Sequence, residues 1–391
     1  MDVAAKEATG GVRTEHAAAA AQGKARVKKA KAPLPFGAYC RAGEVMLSEG
    51  TAQGIFGHCV MTTMWNLMAR VKNGVGLCRT HFDVEGDALL IYYAQEKTDH
   101  QGRKGRDPRH VYANPFMPEI CPILSLGLYF VMIDVTSFEE ELIFPGREVA
   151  KTFNDYLRGV LENKEKMGEF VEPEVKRGSH WLRKGAATFA SSGGTNAPSH
   201  AAISDRGGWS IGTVQKIYLQ YEKAGDQHVG RTVCGLNGND ETFGVLPPRF
   251  KQGKEYEDVV NEVLKDCFSK FGVMKPEFQR VLKMVLASVC YHLDRLRNDY
   301  FGSMDHEMRS KTIYTKRYRV PLPKIVEIPE WRPGDAMQPT GLTPVVLLDK
   351  RLKIVEKRDE EMRIEMFSDL KLYLVFFLEI KTWRKEDEKW K

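Results

Sequence analysis

The sequence predicts a mainly α-helical protein with one small antiparallel β-hairpin. Three observations carry that expectation. Apolar residues recur at helical spacing in segments spread from residue 53 to residue 293. One stretch alone reads as two short strands around a Glu-Gly-Asp turn. The apolar fraction, 42% of 391 residues, is enough for a real core, and the length allows two or three domains.

The elements follow in order. Residues 1–34 are rich in Ala, Gly and Lys with almost no large apolar residues, so they are expected to be a disordered basic tail. The cluster Lys24, Arg26, Lys28, Lys29 and Lys31 has the composition of a nuclear-import or nucleic-acid-contacting tail, or of a solvated tail with no further role. Gln53 to Arg70 has helical apolar spacing and ends near Asn73-Gly74. His81 to Val84, the turn Glu85-Gly86-Asp87 and the run ALLIYYAQEK form the hairpin. Ile123 to Val135 reads as a buried helix, and Phe153 to Leu161 as another. Ser179 to Ser192 favours helix through its Ala, Lys and Arg, and Gly193-Gly194 ends it. Pro198 to Arg206 makes a short helix before Gly207-Gly208, and Ser210 caps a helix running to Glu222. Two amphipathic helices, faced by Tyr256, Val259, Val263 and Phe268 and by Phe278, Leu282, Val285 and Val289, form a helical hairpin extension over 238–305. Residues 306–391 read as a Pro-rich linker and a charged helical tail.

Charge and cysteines narrow the class. Net charge is +6 and the isoelectric point about 8.8, which agrees with a polyanionic partner. Seven cysteines occur singly, which argues against a disulfide framework and suits a reducing compartment. The nearest metal pattern, Cys78-x-x-His81, lacks a second pair, so no metal is expected. The apolar run Leu372 to Ile380 contains a Glu and is too short to span a bilayer, and no secretory signal is expected.

The chemistry concentrates between His180 and Tyr218. His180 and Arg183 are three apart and share a helix face; Trp209 follows Arg183 by twenty-six residues, and Tyr218 follows Trp209 by nine. Arg forks a phosphate, His moves protons near neutral pH, and a deprotonated Tyr phenol can attack phosphorus. Upstream, Arg70 ends the segment WNLMAR and Lys97 follows the hairpin strand. Taken singly, each of these is also at home elsewhere: Arg70 and Lys97 as solvated charges, His180 as a structural histidine, Trp209 as core, Tyr218 as a half-buried helix residue. Their joint order and spacing is what points to one metal-free phosphoryl-transfer site. Tyr221, one turn beyond Tyr218, is the alternative nucleophile. Arg103, Lys104 and Arg106 in the hairpin loop are weaker candidates for DNA-backbone contacts.

Arg, Lys, H-x-x-R, Trp or His, and Tyr in this order resemble the tyrosine recombinases. The segments AQEKTDHQG, RHVYANP, SHWLRKGAATFASSGG, GGWSIGTVQKIYLQYEKAGDQHVGR and FGVLPPRF are similar to recombinases of Crypton-type eukaryotic mobile elements, over roughly residues 35–237. The resemblance implies a tyrosine recombinase catalytic-domain fold with C-terminal helices added. It implies DNA recombination through a covalent 3′-phosphotyrosine, without metal, ATP or other cofactor. Arg70 and Arg183 would clamp the phosphate, Tyr218 would attack, Lys97 would protonate the leaving 5′ oxygen, His180 would assist proton transfer, and Trp209 would fill a slot often held by His. The implied partners are double-stranded DNA and further copies of the chain on DNA, with no membrane and no small-molecule substrate, and the implied location is the nucleus. Family members carry an N-terminal helical domain that completes a clamp on DNA; here a short tail and one helix precede Arg70, so that half is expected to be missing or supplied elsewhere. The alternatives are a catalytically silent DNA-binding protein derived from a truncated element, and a protein-interaction module on the helices from 256 to 300, which would show no salt-dependent DNA affinity.

Overall fold

A computed structural model describes residues 33–92, 107–170, 180–192, 196–209, 222–303, 305–332 and 334–387, with side chains of the last helix described as far as residue 375. The expected class holds: helices dominate, and a three-stranded antiparallel sheet lies among them.

At the centre is α2, Ala52–Leu67, which starts with Thr51 accepting from the Gly54 N–H at 3.0 Å and ends where Met68 turns left-handed at φ 47. It is buried on nearly every side. Its polar residues therefore need partners, and His58, Thr62 and Asn66, four apart, line up to find them. His58 Nε2 donates to the Glu119 carbonyl at 2.8 Å. That leaves Nδ1 as acceptor for the Ser125 hydroxyl at 3.0 Å.

On one flank runs α1, Phe36–Ser48, whose Tyr39 ring stacks on Trp65 at 4.0 Å. On the other lies α3, Pro122–Ile133, with Pro at its first turn and Asp134 left-handed at its end. Helix α4, Val149–Glu162, buries the single face of Phe153, Leu157, Val160 and Leu161. The sheet follows α2: β1, Phe82–Glu85, pairs β2, Ala88–Ile91, with Phe82 opposite Ile91 and Glu85 opposite Ala88. Strand β3, Arg109–Val111, adds to β2 with Leu89 opposite Val111. Gly86, at φ 59, makes the hairpin turn. Then come α5, His180–Ser191, α6, His200–Gly207, and α7, Lys223–Val233.

Residues 238–305 contribute α8, Lys254–Cys267, and α9, Pro276–Arg295. Both bury their apolar faces in the same core as α1 to α5. Helix α9 approaches α3 so closely that a Cβ at Gly127 would stand 2.5 Å from the Val285 carbonyl oxygen and 2.7 Å from a Val289 methyl. Residues 305–346 run as a strap over this body. The His306 ring bonds the Leu47 carbonyl at 3.0 Å, the Glu307 N–H bonds Gly50 O at 2.8 Å, and Met308, Ile313, Leu322, Ile325 and Trp331 are buried. Two-residue strands β4, Arg249–Phe250, and β5, Val326–Glu327, fasten its middle. The chain then enters α10, Pro344–Asp387, of which Val346 is buried and the stretch from Leu348 to Val375 carries exposed large apolar side chains. No helix among the described residues is long and apolar enough to cross a membrane.

Two expectations follow from the packing. Gly127→Ala forces α3 off a backbone carbonyl rather than off a flexible side chain, so it should destabilise the protein by about 1–3 kcal/mol in urea unfolding. Burial holds the His58 and His292 imidazoles neutral, each lowered to about 4. The unfolded chain binds those protons near pH 6.5, so folded stability is full above that pH and is lost as pH falls toward 4. One such histidine contributes about 3 kcal/mol over that window. The urea midpoint should therefore drop steadily from pH 7 to 4.5, with a shallower slope in His58→Gln.

Candidate functional site

Helix α5 lies across α2 where Gly185 meets the Trp65 ring and the Leu34 carbonyl. Its first residue, His180, is exposed, whereas Arg183, one turn later, is 96% removed from solvent. The Arg183 guanidinium donates to the Gly207 carbonyl and lies 4.9 Å from the centre of the Trp209 ring. Cation and indole face are thus in cation–π contact. The Gly207-Gly208 pair makes the contact possible. Gly208 takes φ 62 to end α6, with its N–H on the Asp205 carbonyl and the Trp209 N–H on Ser204. A Cβ on Gly207 would stand 2.8 Å from the Trp209 ring, so any larger residue would push the indole away.

Directly before the glycines, Arg206 is buried and fully engaged. Its Nε and Nη2 donate to the Asn66 carbonyl at 3.0 and 2.9 Å, and Nη2 also reaches His110 O at 2.8 Å. Nη1 meets Asp226 Oδ1 at 2.7 Å. Asn66 is in the last turn of α2, where carbonyls lack helical partners, so a cation is well placed there. Asp226, in α7, is equally committed: Oδ2 accepts from the His110 N–H at 2.8 Å and pairs with His110 Nδ1 at 2.9 Å. Arg109 adds a bond to Asp205 Oδ2 at 3.0 Å and stands 3.7 Å from Asp226. Burial alone would raise the Asp226 carboxyl, but Arg206, His110 and Arg109 together outweigh it and hold the group at about 2.

This network joins four pieces of chain, each beside a residue singled out from sequence. Asn66 precedes Arg70 by four, Arg109 follows Lys97 by twelve, Arg206 precedes Trp209 by three, and Asp226 follows Tyr218 by eight. Arg109, His110, Arg206 and Asp226 carry no expected role, although Arg109, His110 and Asp226 stand in segments that carry the resemblance and Arg206 directly precedes one. The available signal was a run of charged residues inside otherwise apolar or glycine-rich text, DRGGW and KAGDQHVGR.

A second buried cluster reaches the hairpin turn. Asp87, the last turn residue, pairs with Arg231 of α7, and both are fully buried. Arg231 also bonds the Phe243 carbonyl at 2.7 Å and stacks 4.4 Å over the Tyr112 ring. The strap closes this cluster: Thr340 Oγ1 donates to Asp87 Oδ1 at 2.7 Å, its N–H bonds Oδ2 at 3.1 Å, and Tyr112 Oη lies 2.7 Å from its hydroxyl.

Of the six candidate catalytic residues, the structure places four. Arg183 and Trp209 are in contact, His180 stands at the head of the same helix, and Arg70 is exposed just past the end of α2, with its carbonyl starting the short helix Val71–Val75. Lys97, Tyr218, the alternative Tyr221 and the loop residues Arg103, Lys104 and Arg106 lie outside the described residues. Cys78 and His81 occupy one tight turn, in which His81 Nδ1 accepts the Cys78 N–H at 3.1 Å.

No family model matches the chain, and no curated protein matches it. Among solved structures the chain is similar to an FLP recombinase–Holliday junction complex, at 12% identity and a TM-score of 0.39, over 76% of this chain and 72% of that one. A likeness of that size leaves the functional argument to the residues of the chain itself.

Removing the Asp226 charge while keeping its shape tests the network. Asp226→Asn leaves Arg206 buried without its carboxylate and should cost about 3–5 kcal/mol in chemical denaturation at pH 7. Because the native carboxyl sits below its unfolded value near 3.8, its contribution is present above that pH and lost as pH falls toward 2. The variant should therefore lack that acid limb.

Proposed function

We propose that this chain is a metal-free DNA strand-transfer enzyme of the tyrosine recombinase type, the catalytic part of a mobile-element recombinase of the Crypton kind acting in the nucleus. In this reading Arg70 and Arg183 bind the non-bridging oxygens of a DNA phosphate and offset the charge of the pentavalent transition state. The Tyr218 oxygen bonds to phosphorus as the bond to the 5′ oxygen breaks, and Lys97 gives that oxygen its proton. His180 takes part in the proton movement, and Trp209 backs the guanidinium of Arg183. The covalent link keeps the energy of the phosphodiester, so rejoining needs no external energy source.

The observation that carries the reading is the contact between Arg183 and Trp209, residues whose order and spacing first marked the site. Its support is the buried network that ties Asn66, His110, Arg206 and Asp226 to one another. A catalytically silent DNA-binding protein would use the same basic residues for backbone contacts alone.

The test is a pool of nicked duplexes of varied sequence, incubated with the protein and run on a denaturing gel. A covalent protein–DNA band is expected. It should vanish in Tyr218→Phe, persist in Tyr221→Phe, and form at least about 100-fold more slowly in Arg183→Ala, the scale of losing a transition-state donor. A band that survives Tyr218→Phe and disappears in Tyr221→Phe reassigns the nucleophile. No band from any duplex, together with DNA affinity that falls as salt rises, selects the silent binder.

A further inference from the structure

Among the described side chains of helix α10, those near its start attach it to the body. Val346 is buried, and Lys350 and Lys353 reach Glu241 at 3.3 and 3.4 Å. Beyond that it presents a stripe with strict four–three spacing: Leu348, Leu352, Val355, Asp359, Met362, Met366, Asp369, Tyr373. The six apolar members are each more than half exposed. Spacing of four and three in alternation is that of a two-stranded coiled-coil seam; Ile364, Phe367, Leu370, Leu372, Leu374 and Val375, off this stripe, are exposed as well and widen the apolar surface of its second half. Six exposed apolar side chains along one row, broken by Asp359 and Asp369, mark a surface that something covers.

We propose that the cover is α10 of a second copy of this chain, paired antiparallel. The charges select both the partner and the direction. In a parallel pair each seam position meets itself, so Asp359 would face Asp359 and Asp369 would face Asp369, while the flanks would offset one repulsive contact, Arg358 beside Arg363, with one attractive contact, Arg351 beside Glu356. Like charges in the seam oppose the pairing. In the antiparallel pair that sets Val355 against Met366 of the other copy, each aspartate meets an apolar residue instead: Asp359 meets Met362 and Asp369 meets Leu352. The flanking charges become complementary, with Arg358 beside Glu365 and Glu356 beside Arg363, each pair occurring twice by the two-fold axis. The helix has a basic half, holding Lys350, Arg351, Lys353, Lys357 and Arg358, and then an acidic run, Asp359, Glu360, Glu361, Glu365 and Asp369. Reversing one copy lays the basic half on the acidic run. The two aspartates weaken the seam and fix its direction, as polar residues in such seams do.

This pairing needs no DNA and stands apart from the proposed strand transfer. The full-length protein should sediment as a dimer at micromolar concentration without DNA. Leu352→Glu combined with Met366→Glu should raise the dimer dissociation constant at least 100-fold and leave the thermal unfolding of the body unchanged, since both side chains are exposed in the single chain. Arg358→Glu alone and Glu365→Arg alone should each loosen the dimer, and the two together should restore it. Direction is read by oxidative cross-linking. Val355→Cys mixed with Met366→Cys should form a disulfide-linked dimer, and Val355→Cys alone should not. A monomer at every concentration overturns the proposal. So does a Val355→Cys self-cross-link, which reports a parallel pair, and so does a monomer that instead floats with anionic phospholipid vesicles.

Discussion

Much of the architecture around the candidate site depends on one buried ion pair, Arg206 with Asp226. Neither group is tolerable inside the protein alone. An unpaired buried charge costs several kcal/mol, and an arginine carries five donors that all need acceptors. The fold meets this by bringing carbonyls from two other elements, Asn66 and His110, to the same guanidinium. Every one of these bonds has a direction, so the network fixes relative orientation, which apolar contact alone does not do. Four segments far apart in sequence are thereby held in one frame. The strand-transfer site proposed above would depend on such a frame, because small misplacements cost large factors in rate.

The second cluster extends the frame to the sheet. Through Asp87 and Arg231 the tip of the hairpin is held to the helix that follows Tyr218, and Thr340 locks both from the strap. The strap before α10, whose sequence shows little periodicity, is thus part of the same assembly. It lacks a repeating apolar pattern because it lies along the body and buries single anchors such as Met308, Ile313 and Trp331 at irregular intervals.

Helices α2, α3, α4, α8 and α9 fall where apolar residues put them, α5 where its Ala, Lys and Arg content does, α6 between its proline and glycine boundaries, and α10 in the charged tail, and the hairpin turns at the expected Gly86-Asp87. Helices α1 and α7 were not legible. Each carries glycines that lower helix propensity, and each uses one of them for a close approach that sequence cannot reveal. Gly43 lies against the Glu119 carbonyl and Gly230 against the His110 carbonyl. Strand β3 was missed because it is three residues long and pairs with a strand eighteen residues earlier. At the site, spacing alone brought out Arg183 and Trp209, and these do meet. The supporting network stayed hidden because buried charges look like surface charges until their partners are known.

The Thr340 clasp has a consequence for how the chain is made. It joins residues 253 apart in sequence. During synthesis Asp87 and Arg231 leave the ribosome long before Thr340 exists. Until then two opposite charges that end fully buried lack the groups that complete their hydrogen bonds. Contacts of such long sequence separation form late and slowly, because the intervening loop must close first. The nascent protein therefore completes its hairpin frame only after residue 340 has been made, and a ribosome that stops before it releases a chain whose turn and α7 lack the Thr340 clasp.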